Sequence, residues 1–384
     1  MKKVLLVATV VRMHVNVFHI PMMKWFKENG WKTYVAARND FDYPQECVIP
    51  YCDCFINLPF ERFPVKPGNV TVYKNLKELI ERESFDVIYC HTPVGGLLGR
   101  LAARKDQRSK VVYMAHGFHF YQGAPITNWL FYYPVEKIMS RYTDVLITIN
   151  REDYEIASRK MKARKTYLVP GVGIDISKFR RDALKRTALR QKFSVKDDQY
   201  VLLSVGELSK RKNHQAVIRS LLSLPSTVHY YLCGCGSLEE ELKELTSSLG
   251  ISDRVHFLGF RSDVADFYNM ADIFMFPSLQ EGLPVSVMEA MANGLPVICS
   301  DIRGNADLIN DGKGGYLVGS NDSVAYGEKI SVLISDSQLR KRMGALNEKE
   351  IQKYSQGNVL KQMAQILSLI HISEPTTHAQ ISYA

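Results

Sequence analysis

Two glutamates, Glu281 and Glu289, stand eight residues apart in SLQEGLPVSVMEAMANGLPVICSD, with a Gly-Leu-Pro between them that recurs at Gly294 to Pro296. Ile273 to Phe276 reads as a strand, Pro277 to Leu283 as a loop, and Pro284 suits the first turn of a helix, where its missing N–H costs nothing. Val285, Met288 and Ala292 then recur at helical spacing and would face a core. The start of such a helix offers free N–H groups and a positive dipole end, a seat for an anion. Carboxylates flanking that seat would repel a bare phosphate, yet they can grip hydroxyls on either side of a diphosphate. A nucleotide-sugar has this form, with sugar hydroxyls at one end and ribose hydroxyls at the other. On spacing alone, a buried loop acid and a helix acid paired with lysine explain the two residues equally well. A glycosidase pair fits less well: eight helical residues span about 12 Å, beyond the roughly 5–9.5 Å such carboxylates need.

A second charged stretch, VLLSVGELSKRKNHQAVIRSL, reads as a strand ending at Gly206, a basic loop Lys210 to Lys212, and a helix from near Asn213. Arg211 and Lys212 beside helical N–H groups would suit a diphosphate, and a solvated charged loop is the equal alternative. YYLCGCGSLEEEL repeats the strand, turn and helix pattern, but Gly234 and Gly236 are only a fragment of a dinucleotide fingerprint. In VVYMAHGFHFYQG, His116 follows a strand and precedes Gly117; it can hydrogen-bond a sugar hydroxyl or exchange a proton near neutral pH. His91 in CHTPVGGLLGR stands similarly and reads as an acceptor-side residue, with His14 and Asn16 in the loop after the first strand as further candidates.

These residues need a scaffold that brings strand ends together. Short β-branched runs alternate with amphipathic stretches along the chain, which argues for parallel sheets flanked by helices. Strands are predicted at Val4 to Val10, Thr33 to Ala37, Val87 to Cys90, Val111 to Ala115 and Val145 to Ile149, then at Tyr200 to Val205, Val228 to Leu232, Val255 to Leu258, Ile273 to Phe276 and Pro296 to Ser300. Helical periodicity is clearest over Phe18 to Asn29, Val70 to Arg82, Glu239 to Leu249 and Val285 to Asn293. The turn signal at Pro170 to Gly173 opens a charged, poorly periodic linker. The expected architecture is α/β: two Rossmann-like, doubly wound domains, 1–172 and 173–352, facing across a ligand cleft, with a helix over 353–368 crossing back to the first. Residues 369–384 read as a non-native or disordered extension.

Composition narrows the class. The chain is 46% hydrophobic and 23% charged, as expected of a soluble globular protein. Lysine and arginine outnumber acids 49 to 40, a net +9 that favours anionic partners. That charge is dispersed and no nucleic-acid module is present, so nucleic acid is not an expected partner. Met1 to His14 is too short in its apolar run for a signal peptide and reads as a buried strand. No stretch reaches the roughly 18 apolar residues of a membrane span, so membrane contact is expected to be peripheral. The seven cysteines form no C-x-x-C pair, which predicts reduced thiols and no metal site.

Nearly all of the chain, Lys3 to about Leu367, resembles the retaining glycosyltransferases of family 4, which have the GT-B fold. EGLPVSVMEAMANGLPVICSD carries that family's E-x7-E motif as Glu281 and Glu289; SVGELSKRKN, CGCGSLEEEL, VHFLGFRSDV, VPGVGID and the long stretch from His116 to Asn150 support the match. The resemblance implies an acceptor-binding first domain and a second domain that holds a nucleotide-sugar, usually a UDP-sugar. Glu281, with backbone N–H groups of Gly282 and Leu283, would bind the donor sugar and Glu289 the ribose. Lys212 and Arg211 would hold the diphosphate, Phe260 and Arg261 would lie near the base, and Gly206, Gly236 and Pro284 would border the donor. His116 would contact the sugar from the opposite domain, making His116, Glu281 and Lys212 the catalytic set. Two departures stand out: Glu207 replaces an arginine common after the glycine of the basic loop, and TVVRMHVNVFH lacks the usual glycine pair. The Asp40 to Asp42 D-x-D falls in an early loop away from the expected donor site, so transfer is expected to need neither metal nor cofactor. The implied acceptor is a glycan or lipid-linked sugar of capsule or exopolysaccharide assembly, met in the cytoplasm at the inner face of an anionic membrane. NWLFYYPVEKIMSRY is a candidate for that membrane contact, although core packing is the preferred reading for most of its aromatics. Against this stand a GT-B sugar-nucleotide epimerase, a catalytically dead GT-B scaffold and a nucleic-acid-binding protein.

Overall fold

The computed structural model describes residues 1–372. Two parallel sheets organise it. The first takes β1 (Lys3–Val10), β2 (Lys32–Arg38), β3 (Cys54–Asn57), β4 (Val87–His91), β5 (Lys110–Ala115), β6 (Val145–Thr148) and β7 (Lys165–Leu168) in the order β3-β2-β1-β4-β5-β6-β7. The second takes β8 (Tyr200–Val205), β9 (Val228–Cys233), β10 (Val255–Phe257), β11 (Ile273–Phe276), β12 (Val297–Ser300) and β13 (Gly315–Val318) in the order β10-β9-β8-β11-β12-β13. Each order runs outward from its first strand in one direction and then reverses. The chain therefore switches sides at β1/β4 and again at β8/β11, which opens a crevice at the carboxyl ends of those strands. The central strands are continuous apolar runs because helices cover both faces.

The expected strands all form, and the four expected helices appear as Ile20–Glu28, Gly68–Glu83, Glu239–Ser248 and Val285–Ala292. Sequence reading missed β3, β7 and β13. Each has only four residues, and β3 and β7 lie at the edges of their sheet with half-exposed side chains, so neither shows a clear apolar run.

The charged segment between the sheets is not a loose linker. Within it Ala183–Lys192 forms a helix capped by Asp182. Arg186 Nη1 donates to the carbonyls of Asn269, Met270 and Ala271 at 3.1, 2.9 and 2.7 Å, closing the end of helix Val264–Met270. Arg186 and Arg190 both pair with Asp272, at 2.6 and 3.3 Å, and Asp272 also accepts the Val201 N–H at 2.8 Å. The segment reads as aperiodic because charge, rather than an apolar stripe, docks it.

The closing helix, Gln356–Ile372, reaches past the expected limit, taking the first residues of the 369–384 segment as its last turn; the remainder lies outside the described residues. Its buried Val359, Met363, Ile366 and Leu367 share a core with Met22 and Phe26 of the first unit's helix Ile20–Glu28. Beside it, Ile174 exchanges backbone hydrogen bonds with Tyr354 and Gln356, at 3.0 and 2.9 Å, so the outgoing and returning chains cross as a pair.

The aromatic helix Ile126–Met139 departs from expectation. Only Trp129 and Tyr133 of its aromatics pack against the core, while Leu130, Phe131, Tyr132, Val135 and Ile138 are exposed. Its apolar residues run all round the helix, and a helix at the surface of a sheet domain can cover only one side.

Replacing Asp272 by asparagine strands two arginines at the joint between the linker helix and the second sheet. We expect a loss of about 1–3 kcal/mol, read as a lower urea midpoint for the second unit.

Candidate active site

Both charged loops leave the second sheet at its switch point. After β8, Lys210–Lys212 forms a single 3-10 turn, closed by Asn213 at φ 53°, and the next helix runs only Gln215–Ser220. The helix expected to start near Asn213 begins at Gln215, but it is short, so the side chains of Arg211 and Lys212 supply most of the positive charge. After β11, Pro284 is the residue before the helix, with φ −76° and ψ 120°, rather than part of its first turn.

The two loops meet at one carboxylate. Glu281 Oε1 accepts hydrogen bonds from Arg211 Nη1 at 2.6 Å, Lys212 Nζ at 2.8 Å and Ser278 Oγ at 2.6 Å. Lys212 is mostly buried, with Nζ 4.5 Å from the centre of the Phe276 ring, and burial pushes its pKa down while Glu281 opposes the shift. Gly206 and Gly236 make room for this arrangement. A Cβ at Gly206 would stand 3.3 Å from Lys212 Cε, and one at Gly236 would stand 2.2 Å from the Leu208 carbonyl oxygen. An incoming diphosphate can take over the two cations through charge-assisted bonds, leaving Glu281 free to accept from hydroxyls.

Glu289 lies on helix Val285–Ala292 and accepts from the buried Tyr268 hydroxyl at 2.8 Å. Burial pushes its carboxyl up to about 7. Tyr268 was not found by sequence reading; its place in a helix of mixed pattern gave no sign. Arg261 is engaged by Asp263 through bonds of 2.8 and 2.6 Å, and Phe260 beside it is 80% exposed, an open ring face.

Across the cleft, histidines gather at the other switch point. His14 sits on a π-helical turn, Val11–Val15, directly after β1; His91 is the last residue of β4; His116 follows β5. His19, missed by sequence reading, precedes helix Ile20–Glu28 and joins them. His14 Nε2 and His19 Nε2 are 3.1 Å apart, and His91 Nδ1 and His116 Nε2 are 3.3 Å apart. Burial lowers His14 to about 4 and His116 to about 3, and it holds His19 and His91 well below the usual range, with the neighbouring imidazoles adding to the shift. Of the two roles expected of His116, this favours hydrogen bonding as a neutral group over proton exchange near neutral pH. Asn16 stands apart from the rings and donates to the Val48 carbonyl at 2.9 Å. The D-x-D pair works locally, pinning the turn that carries His14. Asp40 accepts the Arg12 N–H at 2.6 Å, and Asp42 pairs with the Arg12 guanidinium at 2.7 Å.

The two faces touch at Gly282. A Cβ there would lie 2.1 Å from the His116 carbonyl oxygen, and the facing Gly117 has φ 129°. Arg303, absent from the sequence reading, fastens this crossing. Its Nε donates to the Glu281 carbonyl at 3.1 Å, Nη1 pairs with the buried Asp153, Nη2 donates to the Phe118 carbonyl, and Tyr121 lies 4.4 Å from the guanidinium. Burial raises the Asp153 pKa while Arg303 opposes the shift. A groove of about 530 Å³ opens beside Glu281, lined from both units by Tyr121, Glu152, Arg303 and Asp307.

Two facing doubly wound units with this charged seam define the GT-B class, and comparison with known proteins agrees. Residues 185–350 match the glycosyl transferases group 1 family and residues 3–150 the glycosyl transferase 4-like family. A putative glycosyltransferase EpsD of Bacillus subtilis is 38% identical over 374 residues, covering 96% of each chain. An Escherichia coli UDP-Gal:alpha-D-GlcNAc-diphosphoundecaprenol alpha-1,3-galactosyltransferase is 31% identical over 67% of this chain and 70% of its own. Anabaena HepE, solved with UDP and glucose, superposes with a TM-score of 0.78 at 22% identity, covering 96% of this chain and all of its own. The chain belongs to family 4 of the glycosyltransferases.

Substituting valine for Gly282 would drive a side chain into the His116 carbonyl and hold the faces apart. We expect transfer to fall about 100-fold with unchanged far-UV circular dichroism; near-normal activity would show that the crossing is not needed.

Proposed function

We propose that this glycosyltransferase moves a sugar from a UDP-sugar to a lipid-linked or glycan acceptor in cell-surface polysaccharide assembly, with retention of anomeric configuration and without a metal at the diphosphate. The observation that carries the reading is the convergence of Arg211, Lys212 and Ser278 on Glu281 at the switch point. Arg211 and Lys212 supply the charge that a metal would otherwise bring to the leaving diphosphate. In this reading the second unit, 173–352, holds the donor. Glu281 and the backbone of Gly282 and Leu283 take the sugar, Glu289 the ribose, and the exposed Phe260 ring stacks near the base. The first unit, 1–172, holds the acceptor. His14, His91 and His116 face the donor from that side, and neutral His116 donates or accepts at a sugar hydroxyl.

The acceptor hydroxyl attacks the anomeric carbon on the face the diphosphate leaves. A leaving phosphate oxygen receives the acceptor proton, so no protein side chain acts as nucleophile. Domain contact through Gly282 and Arg303 excludes water from the reacting atoms. The UDP choice is supported by the activity for which the Escherichia coli relative is named and by the UDP complexes of Anabaena HepE. The exposed apolar side of helix Ile126–Met139, with Lys137 in its last turn, supports peripheral contact with an anionic membrane.

A thermal-shift panel of UDP, GDP and ADP with their sugars tests the donor. We expect stabilisation by a UDP-sugar, unchanged on adding magnesium; no response to any nucleotide would sink the reading. Glu281→Gln should lower transfer by about 100- to 1,000-fold with little loss of stability. Because Glu289 titrates near 7, it is ionised above that pH and protonated below. UDP-sugar affinity should therefore weaken as pH falls from about 8 to about 6, and Glu289→Gln should flatten that dependence.

A further inference from the structure

Four imidazoles meet where the first sheet reverses, and the geometry points to a binding site there for one divalent transition-metal ion of the zinc class, held by His14, His19, His91 and His116. One ligand nitrogen from each ring lies within 4.8 Å of the other three. A tetrahedral ion with metal–nitrogen bonds of about 2.0–2.1 Å sets nitrogens about 3.3–3.4 Å apart. The facing pairs His14–His19 and His91–His116, at 3.1 and 3.3 Å, already sit near that edge length. The widest separation, 4.8 Å, has to shorten by about 1.4 Å on binding.

His91 is fully buried at the end of β4, which fixes the ring whose Nδ1 faces His116. The donor set also selects the ion. Imidazole nitrogens without a carboxylate suit zinc, nickel or copper, whereas magnesium and calcium demand oxygen ligands. His14 and His116 are only partly buried, which leaves an entry path from the cleft.

Such an ion would stitch the π-helical turn after β1 to the ends of β4 and β5, adding coordination to the hold that Asp40 and Asp42 already have on Arg12. It would lie on the acceptor face, leaving the diphosphate to Arg211 and Lys212. The inference does not rest on the identity of the donor or acceptor, and it revises the expectation from cysteine spacing that the chain holds no metal site.

Cobalt(II) is the probe. Chelator-treated full-length protein titrated with cobalt should develop the intense visible absorption of a tetrahedral site, saturating at one ion per chain and bleached by zinc, with no competition from magnesium. His19→Gln and His91→Gln should each weaken cobalt binding at least about tenfold, with folding checked by circular dichroism. Should the buried variants misfold, His14→Gln on the exposed turn serves the same purpose. Absence of saturable cobalt binding in the intact protein would overturn the proposal, as would binding that survives these substitutions. Nucleotide thermal shifts judge the donor reading separately.

Discussion

The carbonyl of His116 lies so close to Gly282 that any side chain at that position would begin inside it, and Arg303 bonds both sides of the same crossing. Two switch points, each formed by its own sheet, become a single site only because backbone can touch backbone here. Arg303 is the reason the contact is directional. It reads the Glu281 carbonyl on one side and Asp153 and Phe118 on the other, so the acidic loop is held where its side chain can meet Arg211 and Lys212. A buried ion pair of this kind adds little net stability, because desolvation offsets the attraction, but it tolerates few alternative geometries.

The two faces solve opposite electrostatic problems. The face of the second unit concentrates real charge, with two cations balanced on one carboxylate. The face of the first unit concentrates groups able to become charged, yet burial keeps all four histidines neutral at physiological pH. A neutral face thus stands opposite an ionic one, and its imidazoles keep their nitrogen lone pairs.

Much of this was legible in the sequence, for identifiable reasons. Central strands are covered on both faces, so their apolar runs are continuous, and Glu281, Glu289, Arg211 and Lys212 lie in loops or helices adjoining such runs. The alternation of runs and amphipathic stretches gave two α/β units directly. What stayed hidden depends on distance in the chain. His19 looks like an ordinary helix-start residue, and only folding carries it beside His91, with ring centres 3.8 Å apart. Arg303 and Asp153 are separated by 150 residues, and neither spacing nor periodicity links them. The linker helix was missed because ion pairs rather than an apolar stripe fix it, and the exposed aromatic helix misled because apolar composition alone does not say which side is covered.

The returning helix Gln356–Ile372 has a consequence for the order in which the protein is made. Met22 and Phe26 acquire their partners Val359, Met363 and Leu367 only after the whole second sheet has left the ribosome. At ordinary elongation rates that wait is on the order of tens of seconds. During it the first unit has its sheet but carries an uncovered apolar helix face, a natural point for a chaperone to hold. Strand pairing within the first unit can finish early. Completion of its surface waits for the closing helix, so premature termination anywhere in the second unit would also leave the first one unfinished.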